Sequence, residues 1–204
     1  MQRNPDEMLG DLLVLIEVRG DAIDEFEGNP VNEFFDAASP KLCASVLSHL
    51  GWKLGKGGDP SPEIVLRCTE LWERAVERND DWVVKASISA WASSGCLDVE
   101  WWMPRLLDAS EAGEVEGLFS LGPEIVDAAR GGMLGPALEL VERLLAGSNP
   151  WLLERTAIPV IAWGLDSHDE EVRKKAGRVM NAFGERGHIA IRSAIDEFRT
   201  GGSR

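Results

Sequence analysis

Tyrosine is absent from this 204-residue chain, and cysteine and histidine are both rare. Cys43, Cys68 and Cys96 are odd in number, lie far apart and form no C-x-x-C pair, so the sequence predicts neither a disulfide framework nor a zinc knuckle. The three histidines are dispersed and lack the i,i+4 spacing of metal ligands on a helix. We therefore expect no metal site, and this cysteine usage fits a reducing cytoplasm.

Long apolar runs are missing as well. The longest, Leu12–Ile16, is far too short to cross a bilayer. The N-terminus also lacks the basic region and apolar stretch of a signal peptide. These features predict a cytoplasmic protein that does not contact a membrane.

Catalytic signatures are missing too: the chain has no G-x-S-x-G elbow, no H-E-x-x-H helix and no cysteine–histidine pairing. The glycines around Lys56 resemble a phosphate loop, but the G-x-x-x-x-G-K-[ST] spacing is absent. Adjacent carboxylates such as Glu170 and Glu171 belong to a first helical turn, where the helix dipole accounts for them. The sequence predicts no catalytic residue, no cofactor and no enzymatic activity.

Negative charge is what the chain has in excess. Its 35 acidic and 21 basic residues give a net charge of −14, so the chain repels nucleic-acid backbones and we expect no nucleic-acid partner. From Glu170 onward the balance reverses, with eight basic residues against five acidic ones. This region predicts either a solvated helix face or a docking face for an acidic partner. The candidate contact residues are Arg173, Lys174 and Arg178.

Apolar residues recur at helical spacing along the chain. One segment shows a stripe at spacings of three and four, formed by Ile64, Val65, Cys68, Leu71, Trp72 and Val76. Strand-like alternation is rare, and the hairpin pairs Asn-Gly and Asp-Gly are absent. The pattern therefore predicts an all-α chain.

Capping residues, prolines and glycines predict where the helices begin and end. Helices are expected over 6–19, 30–37, 40–54, 62–78, 81–94, 99–110, 114–130 with a possible break at 122–123, 134–146, 150–164, 169–184 and 186–199. The N-terminal signals are Ser39-Pro40, Ser61-Pro62, Asn149-Pro150, Asp81, Asp98 and a capping-box pattern over 167–170. The expected stops are Gly95, Gly147, Gly164 and Gly184. Pro104 predicts a kink or a restart within its helix.

Short connections between these helices predict antiparallel neighbours, and a succession of such hairpins is typical of an α-solenoid. The stretch 165–177 resembles the turn and second-helix start of a HEAT repeat, with an Asp-rich turn before Val172-Arg173 and a small residue after it. A repeat period of 35–45 residues is plausible. We expect a single domain over 1–204, built from antiparallel helical hairpins in a HEAT/TPR-like α-solenoid.

Eight tryptophans are unusual in a chain without tyrosine. Trp101 and Trp102 cannot both face one core, because adjacent helical positions diverge by about 100°. At least one of them is expected to be half-exposed or to lie between two helices. Most tryptophans are expected to fill helix interfaces; the alternative is an exposed aromatic anchor for a protein partner, with Trp101 and Trp102 as candidates.

Several segments follow one another in a recognisable order: GDLLVL at 10–15, NEFFDAASP at 32–40, SPEIVLRCTELWER at 61–74 and WASSGCLDVEW at 91–101. Together with the closing stretch 172–198, they resemble the helical C-terminal region of large bacterial predicted NTPases of the defence type, similar to STAND sensors. The resemblance implies a helical-repeat module that senses or holds a protein partner or an upstream domain. It transfers no functional residues.

The leading hypothesis is therefore a non-catalytic protein-interaction or sensor module, either the C-terminal domain or a stand-alone relative of such an NTPase-type protein. One alternative is an acidic antitoxin or immunity-type protein that binds a basic partner. Another is a HEAT-like DNA-repair glycosylase, which would need a basic groove that this acidic composition does not favour.

Overall fold

All the regular structure in the described part of the chain is helical. The computed structural model describes residues 35, 38–56, 60, 62–111, 121–145 and 154–201, and these contain no β-strand. The predicted all-α class is confirmed. The chain divides between Leu97 and Asp98 into two compact units, and the single domain over 1–204 stays a prediction. None of the described helices is both long and apolar enough to span a membrane.

The first unit contains α1 (Pro40–Lys56), α2 (Pro62–Arg78), α3 (Trp82–Ala86) and α4 (Ile88–Ala92). Helix α1 packs against α3 and α4, and α2 contacts α3. A cluster of apolar side chains on α1 is buried by this packing: Cys43, Val46, Leu47, Leu50 and Leu54.

The helix predicted over 81–94 is divided at Ser87. The Ser87 hydroxyl donates to the Val84 carbonyl at 2.6 Å and accepts the Trp72 indole N–H at 2.9 Å. The Ser87 backbone N–H also bonds to the Val84 carbonyl, at 3.1 Å, three residues back instead of four. A buried hydrogen-bond chain that starts on α2 therefore holds the turn between α3 and α4.

Two glycines on α1 lie very close to the backbone at and after α4. A Cβ on Gly51 would lie 2.8 Å from the Trp91 backbone nitrogen, and a Cβ on Gly55 would lie 2.7 Å from the Ser94 carbonyl oxygen. Neither position has room for a side chain, so the small residues set how closely the two segments approach.

The second unit contains α5 (Val99–Glu111), α6 (Gly122–Arg130), α7 (Leu134–Leu145), α8 (Glu154–Leu165), α9 (Glu170–Glu185) and α10 (Ile191–Arg199). Helix α5 continues through Pro104, so of the two predicted alternatives, a kink or a restart, the restart is excluded. The proline ring is exposed, and at the same turn the Arg105 side chain donates to the Trp101 carbonyl at 2.7 Å.

The helices of the second unit recur at nearly constant spacing. Helices α5, α7 and α9 begin at residues 99, 134 and 170, while α6, α8 and α10 end at 130, 165 and 199. From α6 to α10, every helix packs extensively against the next helix and the next but one, and α5 packs against α7.

Arginine side chains join the C-terminal parts of α5, α7 and α9. Arg143 of α7 donates to the Leu107 carbonyl of α5 at 2.6 Å. Arg186, directly after α9, donates in the same way to the Leu145 carbonyl at the end of α7. Because both bonds connect like ends, α5, α7 and α9 run in the same direction. The Leu107 carbonyl also accepts the Ser110 hydroxyl of its own helix. The Leu145 carbonyl, as the last of α7, lacks a backbone partner within its helix, and Arg186 provides a donor to it.

Gly164 was predicted to end a helix. It instead lies buried in the last turn of α8, which ends at Leu165. A Cβ there would lie 2.7 Å from the Ala176 Cβ of α9 and 2.9 Å from the Leu138 Cδ1 of α7. The glycine is required for close approach to two helices at once.

The turn after α9 also differs from the prediction. Gly184 lies inside α9, and the residue with a left-handed backbone is Gly187, with φ at 90°. The His188 N–H bonds to the Phe183 carbonyl at 3.1 Å, as in a Schellman motif, and the buried His188 ring packs edge-on against the Phe183 ring. This turn occupies residues 186–190, so α10 begins at Ile191 instead of at 186.

Three of the predicted aspartate or serine caps take the expected role, and one is displaced. Ser39, Asp81 and Asp98 each accept a backbone N–H in the first turn of the helix that follows. Asp169 caps α9 by accepting the Glu171 and Val172 N–H groups, so the cap is not Ser167. Predictions outside the described residues are the helices at 6–19 and 30–37 apart from Phe35, residues 114–120 and 150–153, Ser61, Asn149 and Gly147.

Gly164→Ala is expected to lower the free energy of unfolding by about 1–3 kcal/mol, because the added methyl overlaps Ala176 and Leu138. Gly177→Ala is the matched control: Gly177 lies within α9, where an added Cβ meets no atom within 4 Å. This control should raise the free energy of unfolding by up to about 1 kcal/mol. Denaturant unfolding followed by circular dichroism measures the free energy of unfolding of each variant. Equal changes in the two variants would contradict close packing at Gly164.

Candidate partner-binding site

The adjacent tryptophans of α5 have different surroundings, as predicted. Trp102 is only 4% exposed and belongs to the core, so it is not a surface anchor. Trp101 is half-buried, and the Arg105 guanidinium covers its ring at 4.4 Å from the centroid. Of the two candidates, only Trp101 reaches the surface, and part of its ring is already covered.

The candidate basic residues of α9 are all exposed, but two of them bind within the unit. Lys174 lies 3.0 Å from Glu170 and 3.1 Å from Glu171, and the hydrogen bonds that it donates to these carboxylates raise the pKa of Lys174. Arg173 donates to the Ser167 carbonyl at 2.6 Å. Among the described residues, Arg178 alone of the three has no such partner. The positive charge of this face is therefore reduced by its own first-turn carboxylates.

Another lysine of the C-terminal region bridges two helices. Lys175 lies 2.9 Å from Glu139 of α7, and Arg143 pairs with the same carboxylate. The hydrogen bond from Lys175 lowers the pKa of Glu139, although partial burial acts in the opposite direction. This network adds an electrostatic link between α7 and α9.

Three helix ends meet on a different surface of the second unit. Trp163 lies in the last turn of α8, and its ring contacts Phe198 of α10 edge-to-face, with centroids 6.1 Å apart. The guanidinium of Arg130, the last residue of α6, lies 5.5 Å from the Trp163 centroid. Because these residues all come from C-terminal turns, α6, α8 and α10 run parallel and end together. We call the row of Arg130, Trp163 and Phe198 the aromatic edge.

Charged side chains border the aromatic edge. Asp127 lies 3.4 Å from Arg130. Arg199 pairs with Asp166 and lies 4.0 Å from Asp196, and its hydrogen bond lowers the pKa of Asp166. The side chains that are more than half exposed are Asp127, Arg130, Asp166 and Asp196.

The sequence predictions did not single out the aromatic edge, although a signal for it exists. Trp163 and Phe198 are 35 residues apart, which matches the recurrence of the helix ends. Placing the helix ends in register would have put both rings on one edge. Neither ring stood out in the sequence, because most tryptophans were expected to fill helix interfaces and Phe198 was given no role.

The remaining chemically reactive side chains do not form a site in the part of the chain that the structure describes. No group of three or more His, Cys, Asp or Glu residues there could hold a metal. Burial raises the pKa of the Cys43 thiol to about 11, and the Asn79 amide contacts its sulfur at 3.6 Å. A thiol of this kind stays protonated and is a poor nucleophile.

Two histidines lie at the surface of the described residues. His168 lies in the turn before α9. His49 of α1 is exposed, with its ring 6.0 Å from that of Trp52. The exposed pair forms because residues three apart on a helix are neighbours on its surface.

No protein-family model, curated protein or solved structure matches this chain. The resemblance to the helical C-terminal regions of predicted NTPases therefore stays a prediction. The aromatic edge is a candidate site because of its own geometry: two ring systems in contact, partly exposed, and bordered by ion pairs.

Glu139→Gln removes the carboxylate that Lys175 and Arg143 share. Because the folded-state pKa of Glu139 is lowered, its contribution to stability is present above the ordinary value of 4.5 and is lost as the pH falls through the folded-state pKa. The variant should be less stable by at most about 1 kcal/mol at neutral pH, since the pair is partly screened by solvent. It should also lose less stability on acidification than the unmodified chain.

Denaturant unfolding at neutral pH and below pH 4.5 checks this pH dependence. Glu142→Gln is the control, because it removes the same charge from the same helix. Identical pH dependence in the two variants would contradict the role assigned to the network between α7 and α9.

Proposed function

We propose that this chain is a non-catalytic, cytoplasmic helical-repeat module that binds a protein partner through the aromatic edge. The single observation that carries the proposal is the contact of Arg130, Trp163 and Phe198 across three parallel helix ends. A row of this kind presents one continuous surface built from residues far apart in sequence.

The arrangement of the helices supports a repeat module of the HEAT/TPR type. In α-solenoids each unit contacts mainly its neighbours, and alternate helices form parallel layers. Helices α6 to α10 pack on the next helix and the next but one, and their recurrence of about 35 residues lies at the lower end of the expected period. Solenoids of this kind commonly use such extended surfaces to bind proteins.

The aromatic side chains support binding on energetic grounds. Aromatic residues contribute large, stiff contact areas and are enriched among the residues that dominate binding energy. Phe198 is 43% exposed but is already held against Trp163. Less side-chain freedom is therefore lost when a partner binds, which leaves more of the contact energy for affinity.

The biological setting follows from the resemblance and from the charge. The resemblance favours a sensor or interaction domain that works with NTPase and effector domains. The net charge of −14 favours the second candidate, an antitoxin or immunity-type protein whose negative field accelerates association with a basic partner. A strong decrease of the association rate with salt would favour the second setting over the first.

Affinity capture of the full chain from native cells, followed by purification of the captured protein, tests the proposed function. The double variant Trp163→Phe, Phe198→Ala should bind the purified partner at least about tenfold more weakly. The control Trp82→Ala removes a ring that is 41% exposed in the first unit and should leave the affinity unchanged. Circular dichroism confirms that each variant is folded. Unchanged binding by the folded double variant would contradict this function of the aromatic edge.

A further inference from the structure

We infer that the aromatic edge takes a basic, arginine-containing segment of its protein partner. This inference rests on the proposed function and adds the chemistry of the partner.

The local charge of the aromatic edge is negative. Three aspartates border it, Asp127, Asp166 and Asp196, against two arginines, Arg130 and Arg199. The same edge carries the C-terminal ends of α6, α8 and α10. Each helix C-terminus has a partial negative charge of roughly half a unit, so the helix ends reinforce the excess of carboxylates.

The Trp163 ring already accepts a guanidinium. Arg130 reaches it at 5.5 Å, although the Arg130 side chain is 68% exposed and also pairs with Asp127. Tryptophan is the aromatic ring that attracts cations most strongly. The two rings are therefore suited to contact an arginine. Phe198 is the more exposed of the two and lies two residues after Asp196.

An acidic segment is disfavoured at the same place. Arg130 of the edge is already paired with Asp127. Arg199, which borders the edge, lies between two aspartates, Asp166 and Asp196. An incoming carboxylate would meet Asp127, Asp166 and Asp196 together with the negative ends of three helices.

The experiment measures binding of a nona-arginine peptide and of a nona-glutamate peptide to the full chain by calorimetry at low and physiological salt. Phe198→Leu keeps an apolar side chain but removes the aromatic face, and Asp196→Asn removes one bordering charge. Each should weaken binding of nona-arginine by about threefold. The matched controls are Trp82→Leu and Glu70→Gln, which remove an exposed ring and a glutamate that is 49% exposed from the first unit.

Weakening by the edge variants and not by the controls supports the inference. Equal weakening by the controls would mean that the overall charge attracts the peptide, and it would overturn the inference. Tighter binding of nona-glutamate than of nona-arginine would also overturn it. If nona-arginine fails to bind while the captured partner still requires Trp163 and Phe198, the proposed function stands and only the basic chemistry is wrong.

Discussion

The close approach of α8 to α7 and α9 at Gly164 is the constraint on which the second unit depends. Without a Cβ at this position, α8 lies directly against Leu138 and Ala176. Adjacent helical residues point about 100° apart, so the preceding residue, Trp163, is directed away from that contact and toward the ends of α6 and α10. The same turn of α8 therefore closes the core on one side and carries the aromatic edge on the other.

The distribution of charge follows from how few basic residues the chain has. In the second unit, several of them bind carboxylates or backbone carbonyls of neighbouring helices, as Lys175, Arg186 and Arg199 do. These basic side chains therefore form contacts within the unit, and the chain as a whole keeps its net charge of −14. A net negative charge favours the approach of basic molecules over acidic ones before any close contact forms.

Much of the fold follows from local chemistry, and the site does not. The periodicity and capping residues predicted α2 at its observed bounds, and α1, α5, α7 and α9 to within about two residues. The division at Ser87 escaped prediction because its hydroxyl is held by Trp72, a residue distant in sequence. Gly164 was misread for a similar reason, since only the neighbouring helices reveal what its missing side chain allows. The aromatic edge likewise requires knowing that three helices end together.

The arginine bonds between like helix ends have a thermodynamic consequence. The carbonyl at Leu145 receives its donor from Arg186, which follows a helix that begins 25 residues later. Fraying of α9 would therefore leave the end of α7 without this donor, and the Arg143 bond extends the dependence back to α5. The ends of α5, α7 and α9 are thus joined in series, and opening of one helix end removes a hydrogen bond from its neighbour.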